Sequence, residues 1–232
     1  MSTASGVEGL RTQVSGRYSP DNPGVFELRQ RLVAMGMDVR FPAGDSIVEY
    51  VEGFAITTPE ERAVAFHDTE LAFLDSIRKC DLHIVYNLWA SEEGYIGEST
   101  AVETIRAMSR GVPTVWLRPP GRFSPSMSRD LRIFTTGATH YAYVEALDTL
   151  PDAELATSIG RLAAGDVSLS PYAQGLRAAH TKEDGVYHGP PTSIFINDRD
   201  EEMFFDVEDA LLAQYSEAWG RYQAADRLHS EA

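Results

Sequence analysis

The sequence predicts an α/β fold: a doubly wound parallel sheet of about five strands, followed by an α-rich C-terminal extension. Short apolar runs alternate with helical periodicity between residues 10 and 164. The clearest run, residues 81–86, leads through Asn87 and the glycine-containing loop Gly94-Tyr95-Ile96-Gly97 into a helix. Beyond about Ala164 the alternation fails, and a long amphipathic pattern takes over at residues 204–228.

Residues 10–15 read as a weak first strand that ends at Gly16. Residues 23–35 read as a helix, with Phe26, Leu28, Leu32 and Val33 near helical spacing and Gly36 as its stop. Residues 37–41 form a short second strand closed by Pro42. A long connection runs through Gly53 to Thr58-Pro59-Glu60-Glu61, a helix start with Thr58 as N-cap and Pro59 at the first helical position. That helix extends to about Lys79 and precedes the central strand, residues 81–86.

Residues 100–109 give the next helix, stopped by Gly111, and residues 112–117 the strand after it. Pro119-Pro120-Gly121 breaks the chain. Residues 128–134 read as a short helix, 141–144 as a fifth strand and 152–162 as a helix. Residues 185–191 look like a loop and 193–197 like a strand. In the final helix Phe204, Val207, Leu211, Tyr215, Ala218 and Tyr222 share a face, with Trp219 beside it. Asp206, Glu208 and Asp209 in its early turns suit the helix dipole. The expected organisation is a flexible tail over residues 1–9, an α/β domain over 10–164 and an extension over 165–232.

The chain has 232 residues, 43% of them hydrophobic, enough for one large domain with a sizeable core. Its formal charge of −15 argues against nucleic-acid partners and against adsorption to anionic membranes, and favours a small-molecule ligand. The single cysteine, Cys80, permits no intrachain disulfide, and no signal peptide or membrane-spanning run is read, which suits a cytoplasmic protein. The six histidines show no metal-binding spacing, and neither a metal nor a cofactor is expected. His83, inside a strand, reads as a buried and satisfied side chain.

In α/β folds, ligands bind outside the carboxyl ends of the strands. Glu103 falls in the first turn of the helix after Gly97, where free N–H groups and the dipole favour an ionised carboxylate fit for nucleophilic attack. Thr100-x-x-Glu103 equally fits a capping box, with Thr100 as N-cap. On the preceding helix Phe66, Phe73 and Ile77 define an inward stripe, and Glu70 lies within about 40° of its centre. A carboxyl there is costly unless it is partnered, by Arg62 or Arg106, or held neutral as a general acid. Asn87 ends the central strand, placed for a sugar hydroxyl or an Asx turn. Arg17 and Tyr18 occupy the first strand–helix loop, and Ser19 and Ser99 offer donors for a phosphate.

Ser15-Gly16-Arg17-Tyr18-Ser19, the strand at 81–86, Gly94-Tyr95-Ile96-Gly97-Glu98-Ser99-Thr100 with Glu103, and the return strand Gly111-Val112-Pro113-Thr114-Val115 together resemble the nucleoside 2-deoxyribosyltransferase family and its nucleotide N-glycoside hydrolase relatives. The resemblance covers residues 15–117 and does not extend beyond about 150. It implies a flavodoxin-like fold, a homo-oligomer and cleavage or transfer at the N-glycosidic bond of a nucleoside or nucleoside 5′-monophosphate, without a cofactor. Glu103 is then the nucleophile, with Gly16, Arg17, Tyr18, Asn87, Gly97, Ser99 and Thr100 around the substrate and Glu70 as the auxiliary acid.

Two positions depart from the family pattern. Gly97 stands where transferases carry an Asp, and Phe73 where they carry an acid on the preceding helix. Both weigh against transfer between bases and leave the nucleophile in place. The rival reading is a non-catalytic nucleotide-sensing module on the same fold; a scaffold built on the aromatic C-terminal helix is a third. Asn197 and Tyr215 are candidates to complete a neighbouring subunit's site.

Overall fold

The computed structural model describes residues 6–89, 92–109, 112–118, 122–123, 141–143, 147–166, 181–183, 186–188 and 198–230. Its elements follow the chain as β1 (Arg11–Gly16), α1 (Gly24–Ala34), β2 (Asp38–Val39), the hairpin β3 (Glu49–Val51) and β4 (Phe54–Ile56), and α2 (Phe66–Ile77). Next come β5 (Leu82–Tyr86), the short strands β6 (Leu88–Trp89), β7 (Glu92–Glu93) and β8 (Tyr95–Ile96), then α3 (Glu98–Ser109) and β9 (Thr114–Trp116). They are followed by β10 (Arg122–Phe123), β11 (Tyr141–Tyr143), α4 (Asp152–Ala163), β12 (Thr181–Glu183), β13 (Val186–His188) and α5 (Asp198–Ser230).

The main sheet has the order β11-β9-β5-β1-β2, and every neighbouring pair is parallel. Period-two alternation divides its residues between two cores. Val14, Leu82, Ile84, Tyr86, Val115 and Leu117 pack with α1 and α4. Val85 and Trp116 face the other side, with α2, α3 and Leu211 of α5. The polar residues Gln13, Ser15, His83 and Thr114 alternate with the first set along β1, β5 and β9, and all are buried. A parallel sheet covered on both faces is expected to be apolar throughout. Gln13 is satisfied by donating to the Phe73 carbonyl (3.3 Å) and accepting from Ser76.

Several expectations change. Residues 6–9 form a turn rather than a loose tail: Val7 is fully buried and the Gly9 N–H donates to the Gly36 carbonyl. The connection through Gly53 contains the β3–β4 hairpin, whose two turn residues Glu52 and Gly53 both have positive φ (51° and 90°), the twist that suits a two-residue turn. The helix expected from Pro59 is split. Thr58 and Glu61 do cap each other's N–H groups, but around a single 3₁₀ turn, Glu61–Ala63. Val64 and Ala65 are then extended, and α2 begins at Phe66 with no side-chain cap.

Helix α3 starts two residues early. Gly97 supplies the first carbonyl, to the Ala101 N–H (2.9 Å), so Thr100 is inside the helix and the capping box with Glu103 does not form. Helix α5 is longer than its apolar pattern at both ends, and Glu208, Leu211 and Ala218 are its buried residues among those described. Within the loop expected at 185–191, residues 186–188 form β13, paired antiparallel with β12. The expected stop at Gly111, the break at 119–121, the helix at 128–134 and the strand at 193–197 lie outside the described residues. Among the described residues no helix is long and apolar enough to cross a membrane.

Candidate functional site

The chain passes from β1 to β2 on one side and returns to β5 on the other, so the carboxyl ends of β1 and β5 form the crevice where the winding reverses. A cavity of about 280 Å³ lies there. Its floor is Gly16 and Tyr86; its walls come from the β1–α1 loop, the β3–β4 hairpin, α2, the start of α3, and Tyr215 of α5. Aromatic rings dominate the lining, and four carboxyl groups (Glu61, Glu70, Glu98 and Glu103) outnumber the described lining cation, Arg17.

Glu103 is six per cent exposed and lies in the second turn of α3, not the first. The sheet, α2 and α5 cover α3 from several directions, so Ala101, Val102, Glu103, Thr104 and Ile105 are all buried and no single stripe marks the core side. Burial pushes the Glu103 carboxyl up from 4.5 to about 7, and a hydrogen bond with Ser15 opposes that rise. The expected stabilisation of the carboxylate by the helix dipole is overridden. A dipole contributes about 0.3–1 kcal/mol, whereas this shift corresponds to about 3 kcal/mol.

Glu70 projects from α2 into the same cavity and is eight per cent exposed. Its Oε1 has no hydrogen-bond partner among the described residues. Burial, then the charges of Glu103 and Glu208, push its carboxyl well above the usual range. The cations offered to it by the sequence lie elsewhere: Arg62 meets Glu49 and Tyr222, and Arg106 pairs with Glu208 on α5.

Gly16 is required where it stands: a Cβ there would lie 2.8 Å from the Tyr86 carbonyl oxygen. Arg17 stacks its guanidinium 4.0 Å above the Trp89 ring, and Trp89 in turn packs on Tyr95 (5.0 Å between centroids). Tyr18 presents its ring to the cavity while its hydroxyl donates to the Val14 carbonyl; burial first and Glu103 second keep that phenol protonated. Gly97, Ser99 and Thr100 line the cavity mouth, and Ser99 shares a hydrogen bond with Tyr215. Tyr215, a candidate for a neighbouring subunit's site, completes the wall of its own chain. Asn197 lies outside the described residues.

Asn87 does not join this group. It is fully buried, its Nδ2 donates to the Arg118 carbonyl (2.8 Å) and its Oδ1 accepts the Arg118 N–H (2.9 Å). It clamps the segment after β9 to the end of β5 and is not among the residues that line the cavity. Ser19 likewise turns its hydroxyl to Asp21. Asp81 anchors Arg11 through its backbone N–H (2.9 Å) and guanidinium (2.8 Å). Cys80 is a packed side chain whose thiol burial pushes up to about 12. No group of three or more metal-ligating side chains occurs among the described residues.

Sequence reasoning passed over three groups: the hairpin residues Tyr50 and Phe54, the ring of Trp89, and the pair Ser15–His83. Ser15 Oγ lies 2.6 Å from His83 Nε2. The available signal was the placement of both residues at alternate positions of neighbouring apolar strands. No family model matches this chain, and no curated protein or solved structure matches it significantly.

Proposed function

We propose that this protein cleaves, or transfers at, the N-glycosidic bond of a nucleoside or nucleoside 5′-monophosphate, on a flavodoxin-like fold akin to the nucleoside 2-deoxyribosyltransferases. The observation that carries the reading is a pair of buried carboxyls with unequal proton affinities in one aromatic cavity at the switch point of the sheet. Environments that push two carboxyl groups apart assign the acid and base roles. Counted along the chain, the sheet strands run 2-1-3-4-5, the order of the flavodoxin-like arrangement.

Glu103, the more readily ionised, attacks C1′ as a carboxylate. The C1′–N bond breaks and its electron pair passes to the base nitrogen. Glu70, held protonated, gives its proton to the departing base. The resulting glycosyl ester on Glu103 is attacked by water, whose proton returns to Glu70, and Glu103 leaves as a carboxylate. Two carboxyls flanking an oxocarbenium-like transition state are the usual equipment for this chemistry. The Trp89–Tyr95 pair and the hairpin rings offer faces for a planar base, and Arg17 offers the cation a 5′-phosphate requires.

The test is free-base release, followed by chromatography, from ribo- and deoxyribonucleosides and their 5′-monophosphates, with Glu103→Ala in parallel. Release by the wild type alone supports the reading; release only with an added base makes the protein a transferase. No release, with a nucleotide still raising the melting temperature, transfers the case to the non-catalytic sensing module.

A further inference from the structure

We propose that the cavity is built for a base that bears a delocalised positive charge, and that nucleosides with a permanently cationic ring, such as an N-glycosylated pyridinium, are its preferred ligands. Their role as substrates rests on the function proposed above; the binding preference does not.

The charge balance of the lining is the first observation. Glu61, Glu70, Glu98 and Glu103 border the cavity, against Arg17 as the described lining cation. Arg17 is already engaged over the Trp89 ring at 4.0 Å, and the Trp89 indole N–H donates to Asp21 (3.1 Å), so that corner carries an acid of its own. Cations on neighbouring segments are committed to other carboxylates: Arg29 to Asp45, Arg62 to Glu49 and Arg106 to Glu208. Glu61 is oriented by the Thr57 N–H (2.7 Å), the Thr57 hydroxyl (2.9 Å) and the Thr58 N–H (3.2 Å). These donors are neutral and add no positive charge to the lining.

The second observation is Glu70 itself. It is eight per cent exposed, it borders the cavity from α2, and its Oε1 has no hydrogen-bond partner among the described residues. A buried polar atom left without a partner calls for an explanation, and a bound cation supplies one.

The rings decide what kind of cation fits. Phe54 and Phe66 stack at 4.3 Å, Tyr215 meets Phe54 edge-on at 4.5 Å, and Phe73 packs on Phe41 at 5.1 Å, all of them in the cavity wall. Aromatic faces attract positive charge, most strongly where water is excluded. Carboxyls alone would take any cation. An aromatic wall favours a flat one whose charge is spread over a ring and whose body gains from burial.

The same preference serves the chemistry. When the C1′–N bond of a glycosylated pyridinium breaks, its electron pair passes to the ring nitrogen and cancels the charge there. The base leaves neutral and takes no proton, while Glu103 forms the bond to C1′. A neutral purine reaches a charged state only by accepting the Glu70 proton, which leaves a carboxylate facing a cationic ring. Interactions that strengthen as that charge develops are the ones that lower the barrier.

The experiment compares two ligands of one shape by isothermal titration of the full chain, at about pH 8 and about 0.15 M salt. 1-Methylnicotinamide is a pyridinium cation; 3-methylbenzamide has carbon in place of the ring nitrogen and is neutral. The cation is expected to bind at least about tenfold more tightly. Glu70→Gln is expected to reduce that preference by about fivefold or more, and Glu103→Gln to act in the same direction. Equal or tighter binding of the neutral ligand, no measurable binding of the cation, or a preference undiminished in both variants overturns the proposal. The wild-type comparison decides alone should a variant fail to fold. Neither ligand has a glycosidic bond. A protein that prefers the cation but releases no base from any nucleoside therefore defeats the glycosidase reading and leaves this one, and a protein that cleaves nucleosides without the preference does the reverse.

Discussion

Glu103 on α3 and Glu70 on α2 face one cavity, and after burial the charge of Glu103 is the largest influence keeping the Glu70 carboxyl protonated. Two like-charged groups in a low-dielectric space do not ionise together. The arrangement separates the proton affinities of two identical side chains, and it costs stability, because both carboxyls are buried and Glu70 Oε1 has no hydrogen-bond partner among the described residues.

That cost has a pH signature. Both carboxyls bind protons more tightly folded than unfolded, where the reference is 4.5. The stability they contribute is complete below about pH 4.5 and is lost as pH rises, through about 7 for Glu103. The loss from Glu103 alone amounts to about 3 kcal/mol. Denaturant unfolding is expected to show a less stable protein at about pH 8 than at about pH 5, and Glu103→Gln is expected to remove much of the difference. A wild type equally stable at both values contradicts this account.

Glu70→Gln is expected to lower turnover on nucleosides by about 10²–10⁴-fold through kcat, with the protein still folded. Glutamine keeps the shape and has no proton to give the leaving base. A p-nitrophenyl riboside, whose leaving group needs no proton, is expected to lose far less. Equal losses on both substrates would remove Glu70 from the role of acid.

Phe66 opens α2 and ties it to two other elements. Its ring stacks on Phe54 of the hairpin at 4.3 Å and meets Trp219 of α5 edge-on at 5.0 Å. Phe66→Ala is expected to cost about 3–5 kcal/mol in equilibrium unfolding. A cost below about 1 kcal/mol would show that the hairpin and α5 do not depend on this contact.

Asn87→Ala is expected to act on stability and not on binding. The substitution removes two side-chain hydrogen bonds to the Arg118 backbone, at about 0.5–1.5 kcal/mol each. The melting temperature should fall while the dissociation constant of any nucleoside ligand stays within about twofold. A large change in affinity with unchanged stability would return Asn87 to the site.

β1, α1, β5 and α4 lie within two residues of their expected bounds, because a short apolar run bounded by turn residues marks a strand covered on both faces, and the 3.6-residue repeat marks a helix with one buried side. The hairpin was not legible, since Tyr50 is exposed, Phe54 and Ala55 are only partly buried, and its turn is Glu-Gly. The break before α2 carries neither Gly nor Pro; Val64 and Ala65 are extended without a local signal.

The same division runs through the site. The residues alone determined that Glu70 sits on an apolar stripe and that Glu103 follows a strand, a loop and a helix start, because both are statements about spacing along one element. Tertiary structure decided the rest. Strand register placed Ser15 beside His83, the covering of α3 by sheet, α2 and α5 buried Glu103, and the return of β9 took Asn87 for the Arg118 backbone. Proton affinity and hydrogen-bond partnership depend on groups distant in the chain, and no pattern within a single segment encodes them.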